Sequence, residues 1–380
     1  MAIVCACAPG SEASEGGEAG TSSETSASTS TTTSSSSSSE SSTSTTGVDS
    51  SESGPIEDPD PFTITVLDHQ WLSSFEASQS ADADADLGDG PFTSVTLVVE
   101  LESPCFPFEK WQDDPPPMGQ LWPATCDAFD RIVNVSADPD AENFELMRGI
   151  TPFGGPQTYE TDLTDWANAH GGVHTLRGFI STWTDGAGQV SGSAGGWFMS
   201  MRLEVDPGPA PRTVLAAIPL IHTDIGPDNA TQSLPFELPE GTTSARLDYV
   251  VSGHGGAASN GDCIGPADEF CHRVHTLSLD GTELGSFDPW RDDCIDLCTI
   301  TQYDWPDGGA MDYCMENPCG AIGSVQAPRA NWCPSSAVPP FAIELAQLGT
   351  PGMHTFDFTI ADIADGGVWP TSAIVYAFAD

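Results

Sequence analysis

From Pro61 onward, long stretches of the chain alternate apolar and polar residues with a period of two, the pattern of strands with one buried face. Phe92-Thr93-Ser94-Val95-Thr96-Leu97-Val98-Val99-Glu100-Leu101 is the strongest case, because its β-branched residues suit a pleated surface. The first half predicts further strands at 61–66, 131–137, 144–150, 174–183 and 198–205. The second half predicts them at 213–221, 245–251, 274–279, 341–345, 353–360 and 372–378. Residues 82–89 read as an acidic spacer, and no segment reads as an amphipathic helix. Asp206-Pro207-Gly208-Pro209-Ala210-Pro211 reads as a stiff linker outside any ladder, since proline has no N–H to donate. The pattern predicts an all-β protein of two antiparallel sandwiches, residues 61–206 and 213–380.

Residues 9–60 break the pattern. They carry no positive charge, and residues 21–46 are nearly all Ser and Thr. Such a segment buries too little apolar surface to offset its ordering entropy, so a disordered, extended tether is expected. Met1-Ala2-Ile3-Val4-Cys5-Ala6-Cys7 resembles the end of a lipoprotein signal, with residues 1–8 its remnant and Cys7, rather than Cys5, the lipid anchor. No run of residues approaches the ~20 apolar positions of a membrane span.

Charge narrows the partners. The 380 residues hold 56 acidic and 10 basic side chains, a formal net charge of −46. Such a surface repels phosphate, so nucleic acid is not an expected partner and a membrane is expected only through the N-terminal lipid. Eleven cysteines point to an oxidising compartment: secreted, or a lipoprotein on the surface or in the periplasm of a bacterium.

Three cysteine-anchored stretches concentrate charge beside aromatic rings: Cys126-Asp127-Ala128-Phe129-Asp130-Arg131, Asp268-Glu269-Phe270-Cys271, and Pro328-Arg329-Ala330-Asn331-Trp332-Cys333. Two carboxylates in one cleft can divide acid and base work, because like charges push their pKa values apart. Arg131 and Arg329 offer planar donor forks for hydroxyls and carbonyls. Trp183, Trp332, Phe129 and Phe270 offer apolar faces to sugar rings. Each residue also has a plainer reading: Asp130 could pair with Arg131 or cap a turn, Glu269 could be one more surface acid, and the rings could be core.

These stretches carry a resemblance. Cys126-Asp127-Ala128-Phe129-Asp130-Arg131, Gly149-Ile150-Thr151-Pro152, Ser181-Thr182-Trp183, Ser252-Gly253-His254-Gly255, Glu269-Phe270-Cys271 followed by His275-Thr276, and Ala327-Pro328-Arg329-Ala330-Asn331-Trp332-Cys333-Pro334 resemble, in this order, motifs of the peptide-N-glycosidase F family. The resemblance runs from Pro61 to Asp380. It implies two side-by-side eight-stranded jelly rolls and hydrolysis of the amide joining an N-glycan to asparagine, leaving aspartate and a glycosylamine. It implies no metal or cofactor, and N-glycoproteins or glycopeptides as partners; a monomer is expected.

By resemblance Asp130 is the principal acid/base, and Glu269 positions and polarises the attacking water. Ile150 lines the wall for the chitobiose core. His254 stands where the family has a tryptophan, and Ser181 where it has a substrate-binding glutamate. The resemblance pairs Cys105 with Cys126, Cys263 with Cys271, and Cys294 with Cys333, leaving Cys298, Cys314 and Cys319 open. Two rival readings stand: a non-catalytic glycan- or protein-binding lipoprotein, and a copper monooxygenase of two jelly rolls using His272 and His275. Eight scattered histidines with no His-x-His suit copper poorly.

Overall fold

The computed structural model describes residues 60–75, 77–257, 261–345 and 350–379. The expected tether and the Cys7 anchor lie outside the described residues. The alternation seen in the sequence becomes eight strands in the first half: β1 (Phe62–Leu72), β2 (Ser80–Asp86), β3 (Phe92–Glu102), β4 (Ile132–Ala137), β5 (Phe144–Ile150), β6 (Gln157–Asp162), β7 (Val173–Ile180) and β8 (Trp197–Pro207). They form two antiparallel sheets in the orders β1-β8-β3-β6 and β5-β4-β7-β2, the strand order of a jelly roll. Inward residues such as Val95, Leu97, Val99, Leu203 and Val135 are fully buried and form its core.

The second half contains β9 (Thr213–Ile225), β10 (Thr231–Leu238), β11 (Ser244–Val251), β12 (His254–Gly255), β13 (His275–Leu279), β14 (Thr282–Phe287), β15 (Ile300–Asp304), β16 (Ala310–Cys314), β17 (Ser336–Ala337), β18 (Phe341–Glu344), β19 (Gly352–Ile360) and β20 (Gly367–Ala379). Its two main sheets run β9-β20-β11-β18 and β10-β19-β13-β14. Counted from its own first strand, this is again a jelly roll, with Tyr249, Leu277, Phe356, Phe358 and Trp369 in the core. The β15–β16 hairpin stands apart from both rolls' main sheets.

Two predictions give way to the structure. Residues 82–86 lie within β2, which pairs with β7 from Ser80 to Asp86. Its aspartates alternate with alanines, and Ala85 is buried while Asp84 and Asp86 face out. Alanine supplies the inner face so quietly that acidity masks the period. The proposed linker also starts later than expected: β8 continues through Asp206 and Pro207, opposite Ser94 and Phe92. Pro207 closes the strand, where its missing N–H costs no interior ladder bond.

The two rolls are joined by more than chain continuity. Ala217, Ile374, Tyr376 and Phe378 of the second roll enter the first roll's apolar cluster. Arg148 and Glu145, both nearly inaccessible, form an ion pair on β5. Arg148 Nη1 donates to Pro370 O at 2.6 Å, and Ser372 Oγ donates to Glu145 Oε2. β17 pairs with β5, adding a piece of the second half to a sheet of the first. A buried pair that is also hydrogen-bonded on both sides fixes the relative position of the two rolls more than it stabilises either.

Candidate active site

Each roll presents an acid from the loop entering its fourth strand. In the first roll this loop is tied down by the Cys105–Cys126 disulfide. Asp127, fully buried, accepts from Arg131 Nε at 3.1 and 3.0 Å and from the Phe129 N–H at 3.2 Å. Thr151 Oγ1 accepts from Arg131 N at 2.8 Å and donates to Phe129 O at 3.0 Å, so the backbone around Asp130 is held from both sides. Burial raises the proton affinity of Asp127 to a pKa of about 6, against the lowering effect of Arg131.

In the second roll the equivalent loop is the single turn Asp268–Phe270, tied by Cys263–Cys271. Asp268 is fully buried and accepts from Arg273 Nε at 3.0 Å, Arg273 Nη2 at 2.5 Å, Trp369 Nε1 at 2.8 Å and Ala364 N at 3.3 Å. Glu269 is left free to point elsewhere, and its carbonyl accepts from Ala330 N at 2.8 Å.

That last bond brings in the third stretch. Arg329 is 1 % exposed, and its Nη2 lies 3.6 Å from Asp130 Oδ2 while its Nη1 lies 3.4 Å from Glu269 Oε1. One guanidinium therefore spans two acids drawn from different rolls. Nη2 also donates to Ser324 O at 2.8 Å, and the guanidinium carbon sits 4.8 Å from the Phe270 ring centroid and 4.5 Å from that of Trp332. Gly253 permits the close approach behind it, since a Cβ there would meet Trp369 Cζ2 at 2.6 Å and Ala330 Cβ at 2.8 Å. The two carboxylates keep 23 % and 25 % of their side-chain surface open, so the cation forms a floor and the acids face outward.

Electrostatics follow from this placement. Burial raises the pKa of Asp130, opposed mainly by Arg329. Burial also raises Glu269, to about 7; the Asp130 charge adds to this and Arg329 opposes it. Two acids with raised, coupled proton affinities can hold one proton between them near neutral pH.

The remaining predicted residues divide. Trp183 is 49 % exposed and follows Ser181, whose backbone N–H and Oγ tie it to Ile132, at the sheet end where Asp130 emerges. Phe129 is half-buried against the Arg131 guanidinium at 4.7 Å. Arg131 is committed to Asp127 rather than to Asp130. Trp332 is buried: its Nε1 donates to Gly253 O at 2.8 Å, and His254 stacks on it at 5.0 Å. Its ring therefore supports Arg329 instead of offering a free face. Ile150 is buried in the same cluster with Trp332 and Val338. His254 Nε2 meets Ser252 Oγ at 2.9 Å, and burial, with Arg148 and Arg329 nearby, lowers its pKa to about 3. It is neutral at physiological pH.

His272 and His275 do not converge. His272 Nδ1 meets Asp288 Oδ2 and its ring stacks on Trp290, whereas His275 is buried with Nδ1 3.0 Å from the Tyr249 hydroxyl. The three pairings implied by the family motifs are present, with a fourth, Cys298–Cys314, closing the β15–β16 hairpin. Cys319 is a thiol pushed up to about 12 by burial.

The comparisons agree with this fold. Residues 224–377 match the model described as Peptide-N-glycosidase F, C terminal. Over its second roll the chain is similar to the peptide-N-glycosidase F family. It is 26 % identical over 240 residues to the peptide-N(4)-(N-acetyl-β-D-glucosaminyl)asparagine amidase F of Elizabethkingia miricola. That match spans 57 % of this chain and 58 % of the relative, a little over half of its length. The structure of PNGase F from Flavobacterium meningosepticum shares the fold at a TM-score of 0.62 and 19 % identity, covering 84 % of this chain and 96 % of that one. PNGF-II shares it at a TM-score of 0.61 and 18 % identity, covering 84 % and 66 %.

Sequence reasoning missed Asp268, Arg273 and Asp127 as the anchors of the acid loops. In so acidic a chain, a buried aspartate cannot be told from a surface one by composition. The available signal was the arginine four or five positions further on, Arg131 and Arg273, in a chain with only ten basic residues.

Proposed function

We propose that the chain hydrolyses the amide between an N-glycan and asparagine in glycoproteins or glycopeptides. The observation that carries this is Arg329 spanning Asp130 and Glu269, an acid pair assembled from both rolls. Amide hydrolysis needs an activated water, a stabilised oxyanion and a proton for the departing nitrogen. With one proton shared, the ionised carboxylate accepts the water proton as oxygen attacks the asparagine side-chain carbonyl. The protonated partner then gives its proton to the leaving glycosylamine nitrogen. Asp130, under the charges of both Arg329 and Arg131, is the principal acid/base, and Glu269, raised to about 7, orients and polarises the water. The products are aspartate and a glycosylamine, and every proton in the scheme comes from the carboxylates and water. The four disulfides among the described residues support action in an oxidising compartment, outside the cytoplasm.

The test is mass spectrometry of an N-glycopeptide incubated in heavy-oxygen water with wild type and Asp130→Asn. Expected are loss of the whole glycan with one labelled oxygen in the new aspartate, and a rate about 10²–10⁴-fold lower for the variant. An intact glycopeptide across high-mannose and complex glycans would sink the proposal.

A further inference from the structure

Beside the acid pair lies an apolar rim that the chemistry above does not use. Met118 is fully exposed, Leu121 and Val190 are each 45 % exposed, and Trp183 is 49 % exposed. They sit on two surface loops held against each other. Gln120 Nε2 donates to Gly188 O at 2.8 Å, and the backbone N–H groups of Leu121 and Trp122 donate to Ser191 Oγ at 2.8 and 3.0 Å. The rim is built. Asp185 accepts four backbone N–H groups, from Ala187, Gly188, Gln189 and Val190, at 2.6–2.9 Å, which sets the shape of its loop.

The rim is also continuous with the acids. Gly192, at φ +80°, lies so close that a Cβ would meet the Phe129 ring at 3.2 Å and Trp122 at 3.4 Å. Phe129 is the residue before Asp130. Charge singles the surface out as well. Residues 115–125 hold no ionisable side chain, and in 183–193 the one acid, Asp185, is turned onto its own backbone. In a chain of net charge −46, an outward face without charge beside the candidate site is a local departure from the rule of the surface.

We propose that this rim binds the polypeptide flanking the glycosylated asparagine, as an extended segment carrying apolar side chains. The inference rests on the amidase reading, because the scissile amide must present polypeptide on one side and sugar on the other. Met118, Leu121 and Val190 take the peptide side chains, and Trp183 lies where sugar and peptide meet.

The experiment uses two synthetic glycopeptides with the same N-glycan, one with Leu, Val and Phe around the asparagine and one with Gly and Ser. Each is given to wild type and to the triple variant Met118→Ser, Leu121→Ser, Val190→Ser. In wild type kcat/KM should favour the apolar peptide by about tenfold, and the triple variant should bring the ratio to within about twofold while leaving the Gly/Ser peptide unchanged. A wild-type ratio near one, or a ratio the variant leaves untouched, overturns the proposal. If neither peptide is hydrolysed, it is the amidase reading that has failed. The rim is then read by fluorescence anisotropy of the same peptides without glycan: binding of the apolar peptide that the triple variant weakens supports it, and equal binding overturns it. Phosphatidylcholine vesicles that sediment wild type but not the triple variant would overturn it in favour of a bilayer.

Discussion

In the first roll Asp138, at φ 47°, accepts from His174 Nδ1 at 2.7 Å and Thr175 N at 3.1 Å; in the second, Asp280, at φ 50°, accepts from His354 Nδ1 at 2.7 Å and Thr355 N at 2.8 Å. Both aspartates leave the fourth strand of their roll, and both histidines lie on the seventh. The same correspondence holds for the acids, since Asp130 and Glu269 lie in the loops entering the fourth strands. The rolls diverge in how the loops are anchored. Asp268 takes four donors in complete burial, whereas Asp127 is held by Arg131, which is 14 % exposed, and one backbone N–H. The second roll also supplies Arg329. Two copies of one architecture have therefore divided the work: one holds its acid rigidly with the cation beside it, and the other brings its acid to that cation from a less firmly held loop.

The sharpest way to break this comparison is to remove the anchors. Asp268→Ala leaves Arg273 without its carboxylate in full burial and should cost about 3–5 kcal/mol in urea denaturation, whereas Asp127→Ala should cost only about 1–2 kcal/mol because Arg131 can reach water. Equal losses would mean that the loops are held alike. Arg329 comes next. Since it lowers the proton affinity of both acids, Arg329→Gln should move the acidic limb of the pH–rate profile upward by about one unit. An unmoved limb would detach the cation from the chemistry.

Glu269 tests the second roll alone. Its folded pKa of about 7 exceeds the ordinary 4.5, so the folded state binds the proton more tightly, and stability falls as pH rises from about 4.5 to 7. Glu269→Gln should therefore stabilise the protein at pH 8 by about 2–3 kcal/mol and change little at pH 4, read from paired denaturation curves. The smallest effect belongs to the corner histidines. Burial disfavours charge on His354, but its bonds to Asp280 and the Thr350 carbonyl outweigh this and raise its pKa. That contribution is present below the unfolded value of 6.5 and fades as pH rises through the folded one. His354→Gln should cost less than about 1 kcal/mol at pH 5.5, and less again at pH 8.5.

Strands rich in Val, Ile and Phe were legible in the sequence because period-two burial shows in residue type. β2 was not, since alanine fills its inner face. β6 (Gln157–Asp162) was not, since only Tyr159 is buried along it. The acid pair and its arginine were legible through their motifs, but their support was not. Whether Trp332 faces a sugar or props Arg329 depends on Gly253 and His254, 79 and 78 positions away. The Cys298–Cys314 pairing depended on a hairpin whose strands carry Gln302, Asp304 and Asp312, a pattern that reads as loop until the partner strand is known. Long-range contacts of this kind leave no local signature.

The pairing of Ser336 and Ala337 with Ile150 and Gly149 also sets an order of assembly. As the chain leaves the ribosome, the first roll is complete at Pro207 while its outermost strand partner is still about 130 residues from being synthesised. Asp130 likewise appears long before Arg329. A partly synthesised chain thus carries one acid with no partner acid and no counter-cation, and the complete constellation exists only once Arg329 has been made.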